Sequence, residues 1–250
     1  MQRFTGKTVL VTGGNSGIGL ATAQRIIDEG GKVIITGRDE ATLQQAEKSL
    51  GENAEAVKAD VGKLADIDRL MAHIGQKYRT IDGLFANAGI AEFKPIDQVT
   101  ENDFDSMFDI NVKGVFFTLQ KAIPLLAEGS AVVINASVAG SMGGGLSSVY
   151  GATKAAVRSM ARTFSGAYVS RGLRFNAVSP GPIDTPIWGR MGNTTPEQVK
   201  KTKDGRAEMN PMKRMGTVDE VTAAIAFLLS PESSYILGAE LFVDGGVTQL

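Results

Sequence analysis

Thr8-Val-Leu-Val-Thr-Gly-Gly-Asn-Ser-Gly-Ile-Gly-Leu20 carries a short apolar, β-branched run into a glycine-rich turn, and a helical pattern continues from Leu20 to Glu29. This is the order strand, turn, helix. Glycines at 13, 17 and 19 let the backbone turn tightly and approach a pyrophosphate closely. The helix that follows offers free N–H groups and the positive end of its dipole to the phosphates. The spacing departs from G-x-G-x-x-G, so the dinucleotide reading rests on the turn's place between the first strand and the first helix. A glycine turn that binds nothing is the alternative.

Outward from this unit the pattern repeats. Strands are predicted at Lys32–Thr36, Ala54–Ala59, Ile81–Ala86, Ala131–Ala136, Leu173–Ser179 and Glu240–Asp244. Between them come helical patterns over 40–50, 65–79 and 102–126, one opening at Tyr150, and one over 217–229 that Thr217 and Glu220 cap. Alternation of this kind predicts a parallel seven-stranded sheet with helices on both faces, wound right-handedly as one α/β domain over residues 1–250. Ligands of such a sheet bind at the C-terminal edges of its strands. The glycine turn, Gly37-Arg38, Asp60, Asn87-Ala-Gly89, Ser137 and Pro180-Gly181 all fall at those edges.

Acid–base chemistry is suggested by Ser148-Val-Tyr-Gly-Ala-Thr-Lys154. At i and i+4 on a helix, Tyr150 and Lys154 lie within about 6 Å of each other. The ammonium then favours the phenolate, and a phenol of ordinary pKa about 10 becomes able to exchange a proton near neutral pH. The plain alternative is an ornamental pair on a solvated helix. Ser137 shifts the balance: it stands 13 residues upstream of Tyr150, at the end of an apolar strand and before a Gly-rich loop over 140–145. Asn111 interrupts an apolar stripe through Phe104, Met107, Phe108, Val112, Val115, Phe116, Leu119 and Ile123. A buried amide there needs partners for both ends, either structural ones or a proton-relay water.

Cofactor preference is read at the end of the second strand. An acidic residue there would bind an adenosine ribose 2′-OH, whereas a small residue followed by arginine accommodates a 2′-phosphate. Gly37-Arg38 reads as NADP(H), with NAD(H) possible if Arg38 points into water or Asp39 opposes it. Asp60 either holds the adenine amino group or caps the next helix. Residues 186–215 form an irregular insertion with one weak helical segment near 197–208, read as a substrate lid or else a disordered surface loop. Its Ile187, Trp188, Met191, Met209 and Met212, with Gly143–Gly145 beside Tyr150, suit a hydrophobic ketone.

Composition excludes other classes. Net charge is -1, with 26 basic and 27 acidic residues intermixed, so no field points to nucleic acid or a membrane surface. There is no cysteine, and the single histidine, His73, lies mid-helix among polar residues with no partner for a metal. No signal peptide or membrane-spanning apolar run is found, which together with the absence of cysteine reads as cytoplasmic.

Taken together, these motifs resemble the short-chain dehydrogenase/reductase family over essentially the whole length. The matching residues are Thr12-Gly-Gly-Asn-Ser-Gly-Ile-Gly19, Asn87-Ala88-Gly89, Asn111, Ser137, Tyr150 with Lys154, and Pro180-Gly181 with Thr185. The resemblance implies a Rossmann fold, a homotetramer and hydride transfer between nicotinamide C4 and a small-molecule carbonyl or alcohol. It implies Tyr150 as acid–base, Ser137 polarising the carbonyl, Lys154 on the nicotinamide ribose, and Asn111 positioning a water that leads to Lys154. Cofactor contacts are expected from Gly13, Asn15, Ser16, Gly17, Ile18, Gly19, Arg38, Asp60, Val61, Asn87, Ala88, Gly89, Tyr150, Lys154, Pro180, Gly181, Ile183 and Thr185.

Two departures stand out: Ala86 replaces a frequent Asn, removing one strand-end hydrogen bond, and Ser16 stands where many NADP-using relatives carry a basic residue, leaving Arg38 largely alone with the 2′-phosphate. Alternatives are a catalytically silent NADP(H)-binding regulator on the same fold, and an NAD(H)-preferring sugar/alcohol or 3-oxoacyl-thioester dehydrogenase/reductase.

Overall fold

The computed structural model describes residues 2–190 and 195–250. Seven parallel strands form one sheet: β1 (Thr8–Thr12), β2 (Lys32–Gly37), β3 (Ala54–Lys58), β4 (Ile81–Ala86), β5 (Leu126–Asn135), β6 (Arg174–Pro180) and β7 (Glu240–Val243). Their order is β3-β2-β1-β4-β5-β6-β7. The order in which successive strands are added reverses between β1 and β4, which stay parallel, and a crevice must open there, at the C-terminal edge.

Period-2 alternation sends neighbouring side chains to opposite faces of the sheet. Leu10, Ile34, Leu84 and Val132 face one core with Ile67 and Leu70 of α3 (Leu64–Lys77). Val9, Val11, Val33, Ile35 and Val133 face the other with Ala23 and Ile26 of α1 (Gly17–Asp28) and Leu43 of α2 (Glu40–Leu50). Both faces are covered, which explains why the strands read as continuous apolar runs.

The long helix expected over 102–126 is present, with helical backbone from Glu101 to Leu125 and a wider turn set into it. Helix α4 (Glu101–Phe108) is followed by a π-helical turn, Asp109–Gly114, and then α5 (Val115–Ala122). A short 3₁₀ turn, Ile123–Leu125, ends it, and β5 already begins at Leu126. Pro124 accounts for the end of α5: it has no N–H to donate to the turn before it, although Ile123 is still helical. At Gly114 a Cβ would lie 2.6 Å from the Val61 carbonyl oxygen, so a glycine is required where the wide turn presses on the loop after β3.

Beyond β5 the chain forms α6 (Ser148–Tyr168), and beyond β6 it forms α7 (Pro196–Met209) and α8 (Val218–Leu229). Capping boxes open α7 at Thr195 with Gln198 and α8 at Thr217 with Glu220. Within residues 186–215 the helical segment expected near 197–208 is α7, and a 3₁₀ turn at Pro186–Arg190 precedes it. Met191 lies outside the described residues.

Gly114→Ala is expected to cost about 1–3 kcal/mol through overpacking against backbone. At about 2–4 °C per kcal/mol for a chain of this size, thermal unfolding should show a loss of several degrees. An unchanged Tm would mean that the π turn yields without cost.

Candidate active site

The crevice lies along the C-terminal edges of the strands and has a volume of about 1110 Å³. That exceeds the roughly 300–1,000 Å³ of ordinary ligand cavities. An extended dinucleotide and a small substrate fit it together. At one end Gly13, with φ +64°, and Gly17, with φ +54°, occupy the left-handed region that favours glycine. A Cβ on Gly13 would come within 3.0 Å of the Ala88 Cα. The turn lies against the Asn87-Ala88-Gly89 turn, and free N–H groups of α1 point into the opening. A dinucleotide's phosphates match this cradle. Gly19 does not line the crevice; it packs against the Gly13 carbonyl, where a side chain has no room.

Thr12 and Asn87 tie β1 to β4. The Thr12 hydroxyl accepts from the Asn87 and Ala88 N–H groups at 3.0 and 3.1 Å, and the Asn87 amide donates to the Thr12 and Gly13 carbonyls at 3.0 and 3.1 Å. With Ala86 buried in the core, Asn87 fastens the strand ends where the first departure above had removed a bond. Asn87 Oδ1 in turn accepts from Asn135 Nδ2 at 2.8 Å.

Ser137, Tyr150 and Lys154 all line the crevice. Ser137 is extended, φ -173°, and its hydroxyl accepts from the Ala139 N–H at 3.2 Å. Lys154 is 6% exposed and donates to the Asn135 carbonyl at 2.7 Å, with Nζ 5.6 Å from the centre of the Tyr150 ring. Burial lowers its pKa to about 8. Burial also raises the Tyr150 phenol above its ordinary value, and the Ser137 hydroxyl draws it part of the way back. The sequence expectation of a phenol pulled down by Lys154 is corrected here: burial disfavours charge on both members of the pair and sets the direction of each shift. Phe93, its ring centre 5.5 Å from that of Tyr150, contributes to that burial.

Asn111 is not among the residues lining the crevice. It is 2% exposed, accepting from the Ile90 N–H and donating to the Ile90 carbonyl, both at 2.8 Å, and donating to Thr153 Oγ1 at 3.1 Å. Both ends of its side-chain amide are held by protein groups. Asp60 lines the crevice but does not cap α3, whose N-cap is Lys63. It accepts from the Gly62 N–H at 3.0 Å in a local turn.

Asn15, Ser16, Ile18, Arg38, Val61, Pro180, Gly181, Ile183 and Thr185 all line the crevice. Asp39, which sequence set against Arg38, is engaged in capping α2 through the Thr42 N–H at 2.8 Å. Met209 and Met212 are 69% and 57% exposed and do not line the crevice, whereas Ile187, Trp188 and Gly143–Gly145 do. His73 pairs with Glu55 at 2.8 Å, a surface contact.

Sequence reading missed Phe93, Asn135, Met142 and Arg190. Asn135 was within reach of it, since strand alternation puts 135 and 137 on one face. No local pattern marks the other three. Among the described residues, Asn135 Oδ1 is a buried acceptor with no hydrogen-bond partner.

A family model described as enoyl-(acyl carrier protein) reductase matches residues 13–248. The chain belongs to the short-chain dehydrogenase/reductase family. It is an oxidoreductase of that family, which uses a nicotinamide dinucleotide. Among its relatives, oxidoreductase asL5 of Sarocladium schorii is 41% identical and covers 100% of this chain and 99% of its own. Levodione reductase of Leifsonia aquatica is 36% identical over 98% of this chain and 95% of its own. A crystal structure of levodione reductase superposes with a TM-score of 0.92, at 36% identity and 98% coverage of both chains. A glucose/ribitol dehydrogenase from Brucella melitensis gives 0.92 at 34% identity, covering 99% of each.

An unfolded lysine titrates near 10.4. Between about pH 8 and that value the unfolded chain binds more protons at Lys154 than the folded one, so this group's contribution to stability rises with pH there. Below pH 8 it is a constant cost. Lysine ε-carbon NMR, assigned by Lys154→Met, should show a midpoint near pH 8 before ligand is added. A midpoint above 10 would contradict the burial argument.

Proposed function

We propose that this protein is an NADP(H)-dependent carbonyl reductase, reversible as an alcohol dehydrogenase, acting on a hydrophobic ketone. The observation that carries the reading is the grouping of Ser137, Tyr150 and Lys154 in one crevice with the glycine turn and Arg38. The dinucleotide supplies or accepts the hydride. Tyr150 Oη gives its proton to the carbonyl oxygen as the alcohol forms, and Ser137 Oγ donates a hydrogen bond to the same oxygen. Lys154, held by the Asn135 carbonyl, orients the nicotinamide ribose and returns a positive charge to the phenol's surroundings. A phenol raised above its ordinary pKa is protonated at neutral pH, the form that reduction needs. Asn111 positions α6 through Thr153 and the loop at Ile90.

Preference for a 2′-phosphate is supported by Gly37-Arg38 and by the use of Asp39 as a helix cap. An apolar substrate is supported by Phe93, Met142, Leu146, Ile187 and Trp188 around the Tyr150 end. Trp188 spends its N–H on the Ile183 carbonyl at 2.7 Å and so presents mainly ring surface. The name of levodione reductase suits a ketone of this kind. Residues 186–215 serve as the lid on this reading, and a homotetramer is supported by Phe104 and Phe116, exposed on α4 and α5.

Tyr150→Phe should lose turnover of ketones by orders of magnitude while keeping NADPH affinity, measured by absorbance at 340 nm and by cofactor fluorescence. Near-normal turnover would remove Tyr150 from the chemistry. Arg38→Ala should weaken NADPH by roughly 1.5–3 kcal/mol, the value of a hydrogen bond to a charged group, and NADH far less. Equal losses would show that Arg38 does not discriminate.

A further inference from the structure

We infer that Arg190 is a second specificity residue for the cofactor's 2′-phosphate, reaching the adenosine end of the crevice from the segment that leads into α7. This rests on the NADP(H) reading above. Arg190 closes the 3₁₀ turn Pro186–Arg190, and its Nη1 donates to Ser16 Oγ at 3.2 Å across 174 residues of sequence. The segment before it is seated on the glycine turn, since a Cβ on Gly17 would lie 3.6 Å from Thr185 and 3.8 Å from Pro186. Its path is further pinned by Trp188 to the Ile183 carbonyl, and by Lys203 of α7 to Asp184 at 2.6 Å.

Position decides which phosphate Arg190 meets. The pyrophosphate cradle is the N-terminus of α1, at Gly17 and Ile18. Ser16 precedes it on the side of the β2–α2 turn. Its neighbour Asn15 lies over Gly37, where a Cβ would meet the Asn15 amide oxygen at 2.9 Å, and Asn15 donates to Thr42 in the first turn of α2 at 2.9 Å. Arg190 at Ser16 and Arg38 at the end of β2 thus share the rim of one crevice. Among the described residues neither guanidinium has a carboxylate partner, while other arginines of this chain such as Arg3, Arg25, Arg69 and Arg214 do. The nearby carboxylate, Asp39, is spent on the α2 cap. Two unpaired guanidinium groups on one rim suit a dianion, which each grips by charge-assisted hydrogen bonds. Ser16 therefore does not leave Arg38 alone: a cation distant in sequence stands beside the serine.

The test is cofactor binding by calorimetry to wild type, Arg190→Ala, Arg190→Lys and Arg38→Ala, with NADPH, NADH and 2′,5′-ADP as ligands. Arg190 is exposed, so the variants should fold, and circular dichroism checks this. Arg190→Ala should weaken NADPH and 2′,5′-ADP by about five- to tenfold and NADH by less than about twofold, with Arg190→Lys between. Equal weakening of NADPH and NADH would assign Arg190 to the pyrophosphate and overturn the inference. So would NADPH affinity unchanged in Arg190→Ala while Arg38→Ala still loses it. If wild type itself binds NADH as tightly as NADPH, the NADP(H) reading fails, and this inference fails with it.

Discussion

A chain of hydrogen bonds runs across the C-terminal edge of the sheet, from Thr12 to Asn87, from Asn87 to Asn135, and from the Asn135 carbonyl to Lys154. Its links belong to β1, β4, β5 and α6, the four elements that wall the crevice at the point where the strand order reverses. Each bond alone is modest, but in a partly dry setting every donor left without its acceptor carries a desolvation cost. The glycine turn and the Tyr150 helix are thereby tied into one frame.

Packing supports the frame from behind. Helices α1, α2 and α8 cover one face of the sheet, and α3, α5 and α6 the other. Arg174 on β6 is buried without a carboxylate, its donors taken up by the carbonyls of Leu228, Ser230 and Ser233 at the end of α8. A cation there meets the negative end of the helix dipole, which offsets the cost of its burial. The π turn plays a similar part on the other face. It places the Asn111 amide against Ile90 and Thr153, joining the loop after β4 to α6 behind the crevice.

Electrostatics differ along the crevice for a physical reason. At the Tyr150 end, burial disfavours charge and leaves a protonated phenol beside a lysine of lowered pKa. At the rim near Ser16 and Gly37, Arg38 and Arg190 are exposed to solvent. A ligand that is apolar at its reacting end and anionic at the other meets matching surroundings at both.

The sequence by itself determined the parallel α/β architecture, because apolar runs alternating with amphipathic segments leave few other ways to bury both faces of a sheet. It also marked most of the site, since glycines, Ser137, Tyr150 and Lys154 stand at fixed offsets from strand ends and helix starts. What it misjudged were features set by contacts distant in the chain. The π turn within the helix over 102–126 lies where Gly114 meets Val61, and Met209 and Met212 are exposed instead of lining the crevice. Tertiary structure alone decided that Asn111 bonds to Ile90 and Thr153, that Lys154 bonds to Asn135, that Phe93 lies beside Tyr150 and that Arg190 reaches Ser16. The reason is that periodicity reports which face of an element is apolar, whereas the partner of a polar group is fixed only when separate elements are brought to the same edge of the sheet.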